Sequence, residues 1–276
     1  MAHGCEMKTD LNVQIDATTR MASRQSGPLY QTKLYHNQVK HRLYERFTKP
    51  GTRLIDIGCG KGGDLHKWEH LRLRTVLAVD VNPSYIQEAK KRHSSKRAMR
   101  TQVVFVHADA FTEAFAPRDG RPYDAMSCMF CLHYASRDES SIHRAFQNAS
   151  AALRPGGVFF GVCADGDAIT AGGDVANDLT RIKLHQLDHP HPWGCSYEFS
   201  LCDSIVSEQN VEFVTRASDL VQVAAQHGML PVPLEDCVDW RTSDGRPFPN
   251  LIGTSAQSAD ERAVSAMYFA FAFRKS

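Results

Sequence analysis

The chain has 276 residues, 42% of them hydrophobic, enough to bury a large core in one domain with insertions. Lys and Arg number 32 against 31 acids, a formal net charge of +1, so overall charge neither requires nor excludes a nucleic acid and only local clusters bear on it. No apolar run nears the roughly 20 residues of a membrane span, and the start MAHGCEMKTD lacks a signal-peptide core, so a reducing compartment without membrane attachment is expected.

In chain order, residues 1–23 are polar and aperiodic and read as a mobile segment. Over residues 24–47, Leu34, Val39, Leu43 and Phe47 recur at near-helical spacing, with Lys33, Lys40, His41, Arg42 and Arg46 on the other face. Pro50-Gly51 ends this helix. Residues 54–68, LIDIGCGKGGDLHKW, combine a buried strand, a turn with glycines at 58, 60, 62 and 63, and a helix start for which Asp64 is suited as N-cap. Free amides at such a helix start favour a negative or strongly polar ligand group. Spacing at 58, 60 and 63 also fits G-x-G-x-x-G, so the glycines alone do not name the ligand. Asp56 inside the strand narrows the choice, as does Asp80, which ends a second strand over 75–81 about twenty residues on, where an acid typically holds ribose hydroxyls.

A helix is expected from Asn82-Pro-Ser to about Arg100; Lys90, Lys91, Arg92, Lys96, Arg97 and Arg100 make it either a phosphate-binding patch or a solvated helix end. Val103 to Val106 is a third strand, followed by Asp109, a turn-capping or ligand-binding acid. Residues 123–134, YDAMSCMFCLHY, form a fourth strand opening into a loop at the ligand edge. A helix over 139–153 stops at Arg154-Pro-Gly-Gly157, and Val158 to Val162 is the fifth strand. Cys128-x-x-Cys131 has no second pair and lies within a strand, so no metal is expected there. Eight cysteines, at 5, 59, 128, 131, 163, 195, 202 and 237, read as buried thiols. Residues 164–193, including His185, His189 and His191, read as an irregular surface loop with Ile182 and Leu184 in its middle. Strands at 197–201 and 211–214, a helix over 217–227 capped by Gly228, and a closing strand over 266–273 complete the plan. It is a mostly parallel sheet with a late antiparallel partner.

The run Asp56-Ile-Gly58-Cys-Gly60-Lys-Gly62 resembles the D-x-G-x-G-x-G signature of class I S-adenosylmethionine-dependent methyltransferases. Together with Asn37-Gln-Val-Lys40, GCGKGGDL at 58–65, Phe130-Cys-Leu-His133-Tyr134, residues 197–201, Glu212-Phe213 and residues 268–275, it makes residues 24–275 resemble the mRNA cap guanine-N7 methyltransferases. The resemblance implies an α/β, Rossmann-like class I fold: a mostly parallel seven-stranded sheet with helices on both faces, a late antiparallel strand and an inserted cap-binding segment at about 164–212, all in one methyltransferase domain over 24–276. It implies S-adenosylmethionine as cofactor, S-adenosylhomocysteine as product and no metal. Lys40, Gly58, Asp64, Asp80, Asp109 and Met129 would line the cofactor site. Lys61 and Arg92 would lie near the cap triphosphate and ribose, and Phe130, His133, Tyr134, Glu212 and Tyr268 would form the guanine pocket.

The reaction so implied converts GpppN to m7GpppN by direct in-line displacement. No catalytic acid or base is expected; His133, Tyr134 and Glu212 position the guanine. Expected partners are 5'-capped RNA, other capping enzymes and the RNA polymerase II machinery, with the protein a monomer in the nucleus, or in the cytoplasm if viral. The alternatives are a class I methyltransferase acting on a small molecule, a protein or another RNA position, and a cofactor-binding subunit without activity of its own.

Overall fold

The computed structural model describes residues 27–96, 99–114, 120–185, 192–202, 210–234 and 257–276. The expected N-terminal mobile segment, Arg97, His189, His191, Cys5 and Cys237 lie outside the described residues.

Strands β1 (Arg53–Ile57), β2 (Thr75–Asp80), β3 (Gln102–His107), β4 (Tyr123–Met129), β5 (Leu153–Ala164), β10 (Met229–Pro231) and β11 (Tyr268–Lys275) form one sheet in the order β10-β11-β5-β4-β1-β2-β3. β1 runs parallel to both β2 and β4, whereas β11 is antiparallel to its neighbours β5 and β10. This is the expected seven-stranded, mostly parallel sheet with a late antiparallel strand. Strand order reverses at β1, and in open parallel sheets the crevice beyond the strand ends at such a switch point receives the ligand.

The central strands are apolar because both their faces are covered. Leu54 and Phe160 point into a cluster with Tyr35, Val39, Leu43, Tyr44 and Trp68 of α1 (Tyr30–Phe47) and α2 (Leu65–His70). Ile55 and Phe159 point the other way, onto Ile142 and Phe146 of α4 (Glu139–Ala152) and Leu220 of α6 (Ala217–Gln226). α3 (Pro83–Ser94) starts where Asn82 accepts the Ser84 and Tyr85 amides, and it ends at Ser94, short of the expected Arg100.

Four further differences follow from packing. The buried face of α1 is Thr32, Tyr35, Val39, Leu43 and Tyr44, while Leu34, one helical step away, is 39% exposed. β5 begins at Leu153 and carries the Arg154–Gly157 turn within its span, because Leu153 already pairs with Tyr123. Residues 164–193 are not a loop throughout: α5 (Gly166–Gly172), β6 (Val175–Ala176) and β7 (Thr180–Leu184) lie there, and with β8 (Ser196–Leu201) and β9 (Asn210–Phe213) the strands form a second, antiparallel sheet in the order β6-β7-β8-β9. Alternation of buried Thr180 and Ile182 with exposed Arg181 and Lys183 marks β7 as a half-buried strand. Finally, α7 (Ala259–Ala266) opens with a capping box between Ser258 and Glu261, which adds a helix that the sequence reading does not include.

Candidate active site

The site is built on the turn after β1. Gly58, Gly60 and Gly62 hold φ of +70°, +52° and +74°, left-handed values that side chains disfavour. A Cβ on Gly58 would stand 2.6 Å from Cys131 Sγ, so the turn and the start of the segment after β4 are in direct contact there. The Gly60 amide donates to Asp80 Oδ2 at 2.7 Å, and Asp80 Oδ1 accepts the Asn82 amide at 2.9 Å. Asp80 is thereby fixed at the crevice edge, 8% exposed.

Asp64 occupies the N-cap position of α2, but its side chain makes no capping hydrogen bond, contrary to expectation. Its oxygens are taken instead by Lys40 Nζ at 2.6 Å and Lys67 Nζ at 2.7 Å, and Lys67 also donates to Asn37 Oδ1. Burial opposes ionisation of Asp64, yet the two ammonium groups outweigh it and hold the carboxyl below the usual range. Two cations on one carboxylate give the Lys40–Asp64–Lys67 group an excess of one positive charge, while the Asp80 carboxylate on the Gly60 amide is a negative charge at the same turn.

Asp56 is buried at 2% exposure beneath the turn. Tyr44 and Ser127 hydroxyls bond to its Oδ1, and the Trp68 indole donates to Tyr44 Oη at 3.4 Å. Burial and the neighbouring Asp64 push its carboxyl up to about 7. Asp109, just beyond β3, accepts the Phe111 amide on Oδ1 at 2.9 Å and Arg137 Nη2 on Oδ2 at 2.9 Å, so both its turn-capping role and a free side for a ligand are compatible with its contacts. Met129 is buried at the end of β4. Lys61 and Arg92 meet at Glu88, 3.3 Å and 2.8 Å away, and the Lys61 ammonium lies 5.1 Å above the Tyr85 ring centroid.

Past Met129 the chain turns sharply: Phe130 has φ of +58°, an unusual conformation for a non-glycine residue and one that marks candidate sites. A 3-10 helix, Leu132–Arg137, follows. His36 of α1 stacks on Phe130 with ring centroids 5.0 Å apart and planes at 25°, and Tyr268 of β11 meets both rings edge-on at 5.0 Å and 5.3 Å. Glu212 of β9, 4% exposed, accepts from Tyr197 Oη at 2.9 Å and Tyr134 Oη at 3.3 Å. His133 Nε2 lies 3.6 Å from Glu212 Oε2, close enough for attraction but too long for a hydrogen bond, and both buried His133 nitrogens have no hydrogen-bond partner among the described residues. Burial opposes ionisation of Glu212; His133 and the two tyrosine hydroxyls reverse this and hold it below the usual carboxylate range.

The structure thus brings Phe130, His133, Tyr134, Glu212 and Tyr268 together and, one turn along α1 from His36, places Lys40 with Asp64. Lys61 and Arg92 form a separate pair on α3 and the glycine turn. Sequence reasoning missed His36, four residues before Lys40 and hence on the same helix face, and missed Tyr197 and Lys67 as partners of the two acids. Its register with Glu212 in the β8–β9 pair marks Tyr197. Among the described residues, no three His, Cys, Asp or Glu side chains are arranged to hold a metal ion, and no helix is long and apolar enough to cross a membrane.

Residues 8–239 match the family model described as the mRNA (guanine-N(7))-methyltransferase domain. Among relatives, an mRNA cap guanine-N(7) methyltransferase of Candida glabrata is 32% identical over 75% of this chain and 54% of its own length. One of Saccharomyces cerevisiae is 27% identical over 99% of this chain and 73% of its own, and one of Arabidopsis thaliana is 26% identical over 92% and 77%. The chain therefore spans about half of the first of these relatives and about three quarters of the other two. The CcbJ methyltransferase of Streptomyces caelestis superimposes with a TM-score of 0.57 over 92% of this chain and 98% of its own, at 12% identity, which shows a shared fold. By its sheet and its sequence, the chain belongs to the mRNA (guanine-N(7))-methyltransferase family, on the class I S-adenosylmethionine-dependent methyltransferase fold.

Proposed function

We propose that the chain transfers the methyl group of S-adenosylmethionine to N7 of the guanine cap of 5'-capped RNA. One observation carries the reading: the buried Glu212 carboxylate, bonded by Tyr134 and Tyr197 and facing His133, whose ring nitrogens make no hydrogen bond among the described residues, lies within electrostatic reach of Tyr268, which packs edge-on against Phe130 and His36. A planar purine needs a ring to stack on and a polar group to read its edge, and this set supplies both. Glu212 retains lone pairs for the guanine N1 and N2 amines, which adenine does not present.

The residues of the glycine turn suit the cofactor. Lys40, held by Asp64, suits the methionine carboxylate; Asp80 suits the ribose hydroxyls; Asp109 suits the adenine amine; Gly58 and Met129 pack against the ligand. When bound, S-adenosylmethionine supplies a methyl group on a positively charged sulfur. Lys61 and Arg92 suit the cap triphosphate.

Guanine N7 carries an in-plane lone pair and no proton, so no general base is assigned. The chain's residues hold the guanine in line and exclude water. Orientation of this kind contributes about 7–11 kcal/mol in favourable cases, enough for a site made only of binding residues. We further propose that the chain works in nuclear mRNA processing, a reading supported by its fungal and plant cap-methyltransferase relatives, and that it does so as a monomer.

Methyl transfer from labelled S-adenosylmethionine to GpppA-capped, N7-methylated capped and uncapped triphosphate RNA tests the reading. Labelling of the unmethylated cap alone is expected. Equal labelling of the premethylated cap moves the reaction to another position, and no labelling refutes cap methylation by this chain.

A further inference from the structure

We infer that Arg137 is a positioning residue for the cofactor, acting through Asp109; this rests on the reading that Asp109 meets the adenine amine. Arg137 ends the 3-10 helix whose first half presents His133 and Tyr134 to Glu212. Its Nη2 donates to Asp109 Oδ2 at 2.9 Å and its Nε to Ser141 Oγ at 2.9 Å. Ser141 is itself anchored: Asp138 accepts its amide at 2.7 Å and its hydroxyl at 3.0 Å. The guanidinium is therefore gripped by α4 on one side and presents a rigid fork to Asp109 on the other.

Asp109 has little other restraint on that oxygen. Its Oδ1 is committed to the Phe111 amide, and its own amide donates to Glu113 Oε1 at 2.9 Å. Rotation about the last side-chain bond is intrinsically broad, so the carboxylate plane is set by its two donors together, the Phe111 amide on Oδ1 and Arg137 on Oδ2. Arg137 supplies the second of the two points that aim the remaining Oδ2 lone pair. With 31% and 22% side-chain exposure, the pair adds little to folding stability; its use lies in aim. One short helix thus serves the guanine pocket at one end and the adenine-side acid at the other.

Calorimetric titration of S-adenosylhomocysteine into wild type, Arg137→Ala, Arg137→Lys, Asp109→Asn and the Asp109→Asn/Arg137→Ala double variant tests this. S-inosylhomocysteine, which carries a carbonyl in place of the adenine amine, is the second probe. Arg137→Ala and Asp109→Asn should each weaken S-adenosylhomocysteine about fivefold, Arg137→Lys should recover part of the loss, and the double variant should bind no worse than Asp109→Asn. Arg137→Ala should raise the cofactor KM with little change in kcat and should leave S-inosylhomocysteine binding unaltered. Weakening by Asp109→Asn without any by Arg137→Ala, or losses that add in the double variant, overturn the role of Arg137. An Asp109→Asn variant that binds normally overturns the adenine reading of Asp109 and the inference with it.

Discussion

Replacing Glu212 by Gln keeps the shape of the guanine pocket and removes its buried charge. The Gln amide offers one acceptor oxygen and one NH2 where Glu212 offers two oxygens. Only one of Tyr197 and Tyr134 therefore keeps its donation, now to a neutral acceptor, and the other hydroxyl must turn to accept from the amide. A hydrogen bond to a charged group contributes about 1.5–3 kcal/mol and one to a neutral group about 0.5–1.5, so the two contacts lose roughly 2 kcal/mol together. The guanine N1 and N2 donors lose a comparable amount, which at 1.4 kcal/mol per tenfold lowers kcat/KM for capped RNA roughly 30-fold. Asp64, Lys40 and Asp80 make none of these contacts, so S-adenosylhomocysteine affinity should stay at the wild-type value. Because the folded Glu212 carboxyl is depressed, its stabilisation is complete above the unfolded value near 4.5 and is lost as pH falls through the folded value; the Glu212→Gln variant lacks that acid-side loss. The assays are steady-state methyl transfer with GpppA-capped RNA, calorimetry with the product, and urea unfolding from pH 3 to 7. Equal losses of cofactor affinity and cap kcat/KM would refute the assignment of Glu212 to the guanine.

Asp56→Asn should flatten part of the pH dependence of stability. The folded carboxyl holds its proton to about 7 against 3.8 unfolded, so its contribution is complete below 3.8, declines as pH rises, and is gone above 7, a fall of about 4 kcal/mol at 1.4 per pH unit. The difference between variant and wild type in urea unfolding should therefore grow with pH between 4 and 7, and a constant difference sinks the argument. Gly58→Ala forces a left-handed alanine, costing about 1–2 kcal/mol, and drives its Cβ into Cys131, beside Phe130. Cofactor and cap affinity should fall together in it, with a lower urea midpoint; wild-type values for all three mean the turn tolerates a side chain. Asp80→Ala removes the acceptor of the Gly60 amide and the group assigned to the ribose, so product affinity should drop roughly 10- to 100-fold while the cap KM at saturating cofactor holds. A shift in cap KM alone would place Asp80 in the wrong site.

Much of this molecule is local in origin and legible residue by residue. The apolar runs of β1, β2 and β4, the glycine turn after β1 and the Asn82 cap are decided by backbone freedom, side-chain burial and short-range hydrogen bonds, which neighbours in sequence already dictate. The motif residues proposed for the guanine pocket are legible in the chain through the family resemblance, and their types suit a planar base, which demands aromatic and acidic partners. Tertiary structure decided what each side chain does with its charge. Asp64 looks like a helix cap in sequence, but Lys40 from another helix and buried Lys67 hold its oxygens; an ion pair in low dielectric outweighs one amide hydrogen bond. Strands β8 and β9 of the second sheet are legible in the sequence, but its β6–β7 half is hidden by the glycines and prolines around β7, since a half-buried strand shows itself only once a partner covers one face. His36 and Arg137 gain their places the same way. Contacts between α1 and Phe130, and between the 3-10 helix and Asp109, join residues far apart in the chain, and such pairs are set by how the elements pack.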